Sequence, residues 1–427
     1  MAKVFSLRGQ ALKLDTAADI EKHIGPLKDN DVEEVHLEGN TIGVEASEAL
    51  AKVLETKRNL RLANLADLFT GRLLSEIPQA LNYLLTALLK CPNLHTINLN
   101  DNAFGLNTVE PLRPFLSQHT PLQHLYLNNN GLGPAAGALV AEALAQLAEK
   151  KAQARKDGRE VPDLETVVCG RNRLETGSMA AWVKAYTANN KVKMVKMVQN
   201  GIRQEGIATL LQHGLSACTV LETLDLQDNT FTALAAKTLA NTMSKWAELR
   251  DLGVGDCLLS ARGGRMLGDA LAKGGNEKLE VLRLQYNEID AKGLKAVADA
   301  ASSSSALPRL RRVELNGNKF SEEDPSIETL QSLLSKRKDD SLDTYPHVDE
   351  DDEDAWGIDE LDELDDEDED EDEDEVDEEG AADVEDADEE AEKVLKDADT
   401  AEAEPVSQKQ DKDVDDLADA LGKTELK

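Results

Sequence analysis

Apolar side chains recur along this chain in a fixed short frame, L-x-L-x-x-N-x-L: two alternating apolar positions, an asparagine three residues on, then another apolar residue. The frame reads Val35-His-Leu37-Glu-Gly-Asn40-Thr-Ile42, Ile97-Asn-Leu99-Asn-Asp-Asn102-Ala-Phe104, Leu125-Tyr-Leu127-Asn-Asn-Asn130-Gly-Leu132 and Leu224-Asp-Leu226-Gln-Asp-Asn229-Thr-Phe231. Further copies centre on Asn172, Asn200, Asn287 and Asn318, and degenerate ones place Gln10, Leu68 and Cys257 at the asparagine position. The eleven copies follow one another at intervals of 30, 28, 34, 28, 42, 28, 29, 28, 30 and 31 residues, the mark of a repeat architecture.

Alternation within each copy predicts a short strand with one face inward, and strands of successive copies would stack in parallel. The asparagine suits the point where the chain leaves the strand, because its amide can satisfy backbone donors and acceptors that would otherwise be buried unpaired. Between strands, stretches such as Ala46 to Leu54 and Ala233 to Met243 carry Leu and Ala at helical spacing. A period of 28 to 31 residues leaves room for a full helix per repeat. The expected fold is therefore α/β: a leucine-rich-repeat solenoid, a ribonuclease-inhibitor-like horseshoe of eleven strand–helix repeats. Phe5 to Leu14 reads as an atypical first repeat, and Asp324-Pro-Ser-Ile327 to Leu334 as a capping helix, so that the repeat domain spans 1–338. The longest interval holds the basic run Lys150 to Arg159, read as a solvated loop.

Charge divides the chain at the same place. Residues 339–427 contain 44 of the 84 acidic residues and 6 of the 47 basic ones, leaving 41 basic against 40 acidic in the remainder. The net charge of −37 thus belongs to the tail, for which like-charge repulsion and scarce apolar residues predict disorder. Within it, Val414 to Leu421 could form a short recognition helix. Neither a signal-like start nor an apolar run of about 18 residues occurs, so secretion and membrane insertion are not expected. The near-neutral repeat domain gives no reason to expect nucleic acid as a partner. Cys91, Cys169, Cys218 and Cys257 are too far apart for a zinc site and read as reduced, buried thiols.

Chemistry of the chain's own is hard to find. The seven histidines are scattered, and neither a nucleophile elbow nor a Walker-type loop is present; Gly131-Leu-Gly133-Pro-Ala-Ala-Gly137 is explained by the turn after Asn130. Arg72 and Asn129 both fall just beyond strands, so repeats three to five could project them toward one rim.

Several stretches exceed any generic repeat consensus: Asp67-Leu-Phe-Thr-Gly-Arg72, Ala87-Leu-Leu-Lys-Cys-Pro-Asn-Leu-His95, Asp101-Asn-Ala-Phe-Gly105, His119-Thr-Pro-Leu-Gln-His-Leu-Tyr-Leu127, Cys169-Gly-Arg-Asn-Arg-Leu174 and Cys257-Leu-Leu-Ser-Ala-Arg262. In these the chain resembles the Ran GTPase-activating proteins, and the acidic tail resembles their fungal form. The resemblance implies an activator that is not itself a hydrolase: it completes the active site of GTP-bound Ran, the partner holding GTP and Mg²⁺, in the cytoplasm and in support of nucleocytoplasmic transport. No cofactor of its own is implied; a monomer is expected, with a Ran-binding protein as an additional partner. Arg72 is a candidate arginine finger, yet the family dispenses with one, and an asparagine matching Asn129 orients the catalytic glutamine of Ran. Where the family carries histidine before that asparagine, this chain has Asn128, so the run Asn128 to Asn130 admits a one-residue shift. The frame L-x-L-x-x-N assigns Asn130 to the buried ladder and leaves Asn129 exposed. Arg72 then supports docking, with Arg171, Lys196 and Asp228 as further partner-binding candidates. The competing reading is a non-catalytic adaptor or acidic chaperone for basic proteins, which the repeat length disfavours because acidic leucine-rich nuclear proteins have shorter repeats.

Overall fold

A computed structural model describes residues 3–28, 31–341, 344–349 and 351–365. Twelve strands form one parallel sheet in chain order, so each repeat pairs only with its neighbours. They are β1 (Val4–Ser6), β2 (Glu34–His36), β3 (Leu62–Asn64), β4 (Thr96–Asn98), β5 (His124–Tyr126), β6 (Thr166–Val168), β7 (Met194–Lys196), β8 (Thr223–Asp225), β9 (Asp251–Gly253), β10 (Val281–Arg283), β11 (Arg312–Glu314) and β12 (Gly357–Ile358). The first eleven match the eleven copies of the frame, and the fold is the expected leucine-rich-repeat solenoid. The middle residue of each of these eleven strands, from Phe5 and Val35 to Val313, is buried in one continuous core shared with the helices behind the sheet. Helices Val44–Leu54 and Thr232–Thr242 lie where the apolar spacing places them.

The asparagines bind repeat to repeat. Each ladder amide is at most 5 % exposed. Asn102 Nδ2 donates to the Leu65 and Leu99 carbonyls, and its Oδ1 accepts from the Leu68 backbone N–H at 2.8 Å. Asn130, Asn172 and Asn200 repeat the arrangement, each accepting from the backbone N–H of the preceding ladder asparagine. A side chain that both donates and accepts is required here, which an apolar residue at the same position cannot supply. All four cysteines are free and buried, and burial pushes the thiols up, Cys169 to about 12.

Two expectations are corrected. The basic run Lys150 to Arg159 is mainly helix, not loop: one helix extends over Gly133–Lys156. Lys151 and Ala154 face inward, and the Lys151 ammonium donates to the carbonyls of Thr120, Leu122 and Pro162 at 2.6–2.8 Å.

The boundary at 338 also moves. The capping helix runs over Pro325–Ser341, and the chain through residue 365 remains in the folded unit. Tyr345 and Trp356 are buried edge to face, Arg311 stacks on the Trp356 ring, and β12 adds to β11. Asp359 receives the Leu315 and Asn316 backbone N–H groups on its two carboxylate oxygens at 2.6 and 3.0 Å. Twelve described acidic residues between 339 and 365 thus belong to the folded unit and not to a separate tail. This segment closes the edge of the sheet: the Gly357 and Asp359 backbone N–H groups donate to the Arg311 and Val313 carbonyls, and the Asp359 carboxylate takes the two N–H groups just past β11. The expected disorder and the short helix at Val414 to Leu421 fall on 366–427, outside the described residues.

Candidate functional site

Immediately before each ladder position the backbone turns, and it does so identically in all eleven copies. The residue there has φ between +47° (Asp67) and +76° (Gly39), the left-handed region. Glycine fills it at 9, 39 and 317, and Asp67, Asp101, Asn129, Arg171, Gln199, Asp228, Asp256 and Tyr286 fill it elsewhere. Asn and Asp tolerate this conformation better than other side chains, so their presence alone is explained by the turn. What the turn adds is direction: in the eight copies without glycine it lifts a side chain off the sheet, on a rung fixed by a backbone bond to the next repeat, as from Asn129 N–H to the Gly170 carbonyl at 2.9 Å.

The three consecutive asparagines at this rim have three different roles. Asn130 is fully buried; its Nδ2 donates to the Leu99 and Asn128 carbonyls. Asn128 is half-buried, and its Oδ1 accepts from the Gly170 backbone N–H at 2.5 Å while its own backbone N–H donates to Asn100 Oδ1. Asn129 is exposed, and its amide makes one side-chain bond, from Nδ2 to Asp101 Oδ1 at 2.9 Å. Of the three, Asn129 alone presents its amide outward, as the frame L-x-L-x-x-N expects.

Arg72, expected on the same rim facing a partner, instead turns back over the first two repeats. Its side chain is 7 % exposed; Nη1 lies 2.5 Å from Asp15 Oδ1, Nε donates to Thr41 Oγ1 at 2.8 Å, and Nη2 to the Thr41 carbonyl at 2.9 Å. The guanidinium beside Asp15 holds its carboxyl below the usual range. The physical reason is the short strand pair Lys13–Leu14 and Thr41–Ile42, whose exposed end offers a carboxylate and a carbonyl in bidentate reach.

Arg171 and Asp228 occupy the same turn position as Asn129, one and three repeats further on. Arg171 is exposed; Asp228 is half-buried, and burial followed by the neighbouring Asp256 raises its carboxyl. Asp228 lines a shallow stretch of rim with Arg173, Glu175, Gln199, Asp256 and Leu258, which Arg171 does not join. Lys196 is not comparable to them: it ends β7 on the sheet face, 3.9 Å from Asp225, which also faces Arg283 across the glycine of β9. Strand residues and turn residues differ by only three positions in the frame, and charge alone does not separate them.

Two features went unread in the sequence. Asp101 is the hydrogen-bond partner of Asn129, and its signal was its identical register one repeat earlier. Leu73, Leu74 and Leu106 are 67, 65 and 53 % exposed in the strand-to-helix connections of repeats three and four, where the spacing suggests ordinary core residues. Among the described residues no group of three His, Cys, Asp or Glu side chains is arranged to hold a metal ion.

Fold and rim together define a strand–helix leucine-rich-repeat protein that displays a side chain from a rigid turn in eight of its eleven repeats. Residues 217–240 and 275–298 match the Leucine Rich repeat family model. Over 339 residues, 77 % of this chain and 82 % of the relative, it is 41 % identical to Ran GTPase-activating protein 1 of Saccharomyces cerevisiae. It is 40 % identical to Ran GTPase-activating protein 1 of Xenopus laevis over 46 % of this chain and 34 % of that protein. With the Ran GTPase-activating protein of Drosophila melanogaster the identity is 32 % over 84 % of this chain and 59 % of that protein. The chain belongs to the Ran GTPase-activating protein family.

Proposed function

We propose that this chain stimulates hydrolysis of GTP bound to the small GTPase Ran, in the cytoplasm and in support of nucleocytoplasmic transport, by orienting the catalytic glutamine of Ran with Asn129. The observation that carries this reading is the outward amide of Asn129 between two asparagines that are both consumed by the fold. Ran supplies GTP, Mg²⁺ and the glutamine; the activator acts as a monomer and supplies rigidity. An amide donates and accepts at once, so it can hold another amide in one orientation and with it the attacking water.

An arginine inserted in trans contributes roughly 10³ to 10⁵ in rate to other activators. Assigning that role to Arg72 would require breaking its pair with Asp15 and two bonds to Thr41, which speaks against it. Arg72 contributes to docking by fixing the first three repeats, and Arg171 and Asp228 flank the same rim. The exposed Leu73, Leu74 and Leu106 supply apolar area beside it, of the kind that marks a protein contact.

Single-turnover hydrolysis of Ran-bound GTP, with the full chain added, tests the reading. Wild type accelerates hydrolysis, and Asn129→Gly lowers the maximal stimulated rate by on the order of 10²-fold or more while Ran still binds. Glycine is the appropriate replacement because the same turn position carries it at 9, 39 and 317. An unchanged Ran rate with wild type would overturn the function; full stimulation by Asn129→Gly would overturn the residue assignment alone.

A further inference from the structure

Asn129 does not stand alone on the rim. Its Nδ2 donates to Oδ1 of Asp101, the residue at the same turn position of the preceding repeat, 28 residues earlier. Both side chains are exposed, both backbones are left-handed (φ +61° and +53°), and the Asp101 backbone N–H donates to the Asn128 carbonyl at 2.9 Å. The two side chains therefore rise from adjacent rungs of a fixed ladder.

A carboxylate at neutral pH has no proton to donate, so it can be met only by the nitrogen end of the amide. The chemistry of Asp101 thus fixes which way the Asn129 amide faces: Nδ2 toward Asp101, Oδ1 away from it. Arg171, at the equivalent position on the other side, carries donors only and offers nothing that competes for Nδ2.

We propose that Asp101 is a positioning residue, which sets the end of the Asn129 amide that meets the glutamine of the bound GTPase. This rests on the reading of Asn129 given above. Two amides can pair in two ways. With Oδ1 outward, Asn129 accepts from the glutamine NH₂ and leaves the glutamine oxygen to take a hydrogen bond from the attacking water. With the amide reversed, Asn129 donates to that oxygen and competes with the water. An unrestrained surface asparagine populates both orientations, and the Asp101 carboxylate removes the unproductive one before Ran arrives.

The test uses the full chain and GTP-loaded Ran, titrated to saturation in single-turnover assays. Asp101→Gly deletes the carboxylate at a turn position that natively accepts glycine, and Asp101→Asn keeps an acceptor oxygen without the charge. Asp101→Gly is expected to lower the maximal stimulated rate about tenfold, equivalent to ~1.4 kcal/mol, with the half-saturating concentration within about twofold of wild type. Asp101→Asn, whose amide can meet that of Asn129 either way round, recovers little of that loss, and Asp101→Gly causes less than a further twofold loss in an Asn129→Gly background. The proposal is overturned by an unchanged maximal rate, by a raised half-saturating concentration alone, or by an Asp101→Asn protein as active as wild type. If Asn129→Gly is impaired while Asp101→Gly is not, this inference falls and the reading of Asn129 stands; if Asn129→Gly is fully active, both fall.

Discussion

Neighbouring asparagines of identical chemistry differ here by what the backbone does beneath them. Asn130 lies in the ladder, where removing its side chain strands a buried Asn102 backbone N–H, while the Leu99 carbonyl keeps its bond from Asn102 Nδ2. An unsatisfied buried group costs about 1–3 kcal/mol, so Asn130→Ala should lower stability by roughly that amount and shift the urea midpoint visibly. Asn129→Gly, one position away, should leave that midpoint within the ~0.5 kcal/mol typical of surface changes, because the turn already favours glycine. A comparable loss of stability in both variants would show that the rim residue belongs to the ladder after all. This distinction was legible in the sequence through the frame alone, since eight of eleven copies carry asparagine at the third position after the second apolar residue. The Asp101 bond was not, because a frame read copy by copy says nothing about side chains that touch between copies. Arg72 was misread for the same reason: its partners Asp15 and Thr41 lie 57 and 31 residues away in other repeats.

At the scale of elements, the connections between strand and helix contain polar groups that pattern reading treats as solvent-facing. His119 ends the helix Val109–Gln118, yet it is buried, stacked on Phe115 at 4.7 Å, and donates from Nε2 to the Leu94 carbonyl at 2.8 Å. Burial pulls its pKa down to about 4, against 6.5 in the unfolded chain. As pH falls below about 6.5 the unfolded chain takes up a proton that the folded chain refuses until about pH 4, so stability is lost across that window. The loss attributable to this group is about 2 kcal/mol at pH 5. Wild type should therefore lose more stability between pH 7 and pH 5 than His119→Gln, measured by urea unfolding at both values; parallel losses would mean His119 is not the group responsible. The helix Gly133–Lys156 makes the related point about legibility. Its first half follows the apolar spacing, but its last turns are anchored by Lys151, whose ammonium caps three carbonyls. A residue classed as charged and exposed gives no periodic signal when it is used as a buried donor.

Across the whole molecule, an array of repeats is stabilised by nearest-neighbour contacts and is vulnerable at its ends. The repeat period located every strand from β1 to β11 because each copy must present the same face to its neighbours. It could not locate β12, which is not a repeat: it lies in an acidic segment that meets the Leu315 and Asn316 backbone N–H groups just past β11 and two buried arginines, Arg311 and Arg312, with carboxylates and carbonyls. Composition assigns residues 344–365 to a solvated tail, whereas Ile358, Leu361 and Leu364 pack on the core and Tyr345 and Trp356 are buried against each other. Two truncations separate these views. A chain ending at residue 365 retains the entire cap and should melt with the full-length protein, with the same stimulation of Ran. A chain ending at 338 loses Tyr345, Trp356, β12 and the Asp359 carboxylate together, leaving an open parallel edge with unpaired donors. It should melt several degrees lower, or self-associate through that edge in sedimentation experiments. Because β5 and Asn129 lie six repeats from β11, the shorter chain should still reach the full maximal stimulated rate at temperatures where it remains folded, and lose it only as the array unravels from its open end. Equal melting of the two truncated chains would return the boundary to 338; a lowered maximal rate in the fully folded shorter chain would instead place part of the functional surface in the acidic cap.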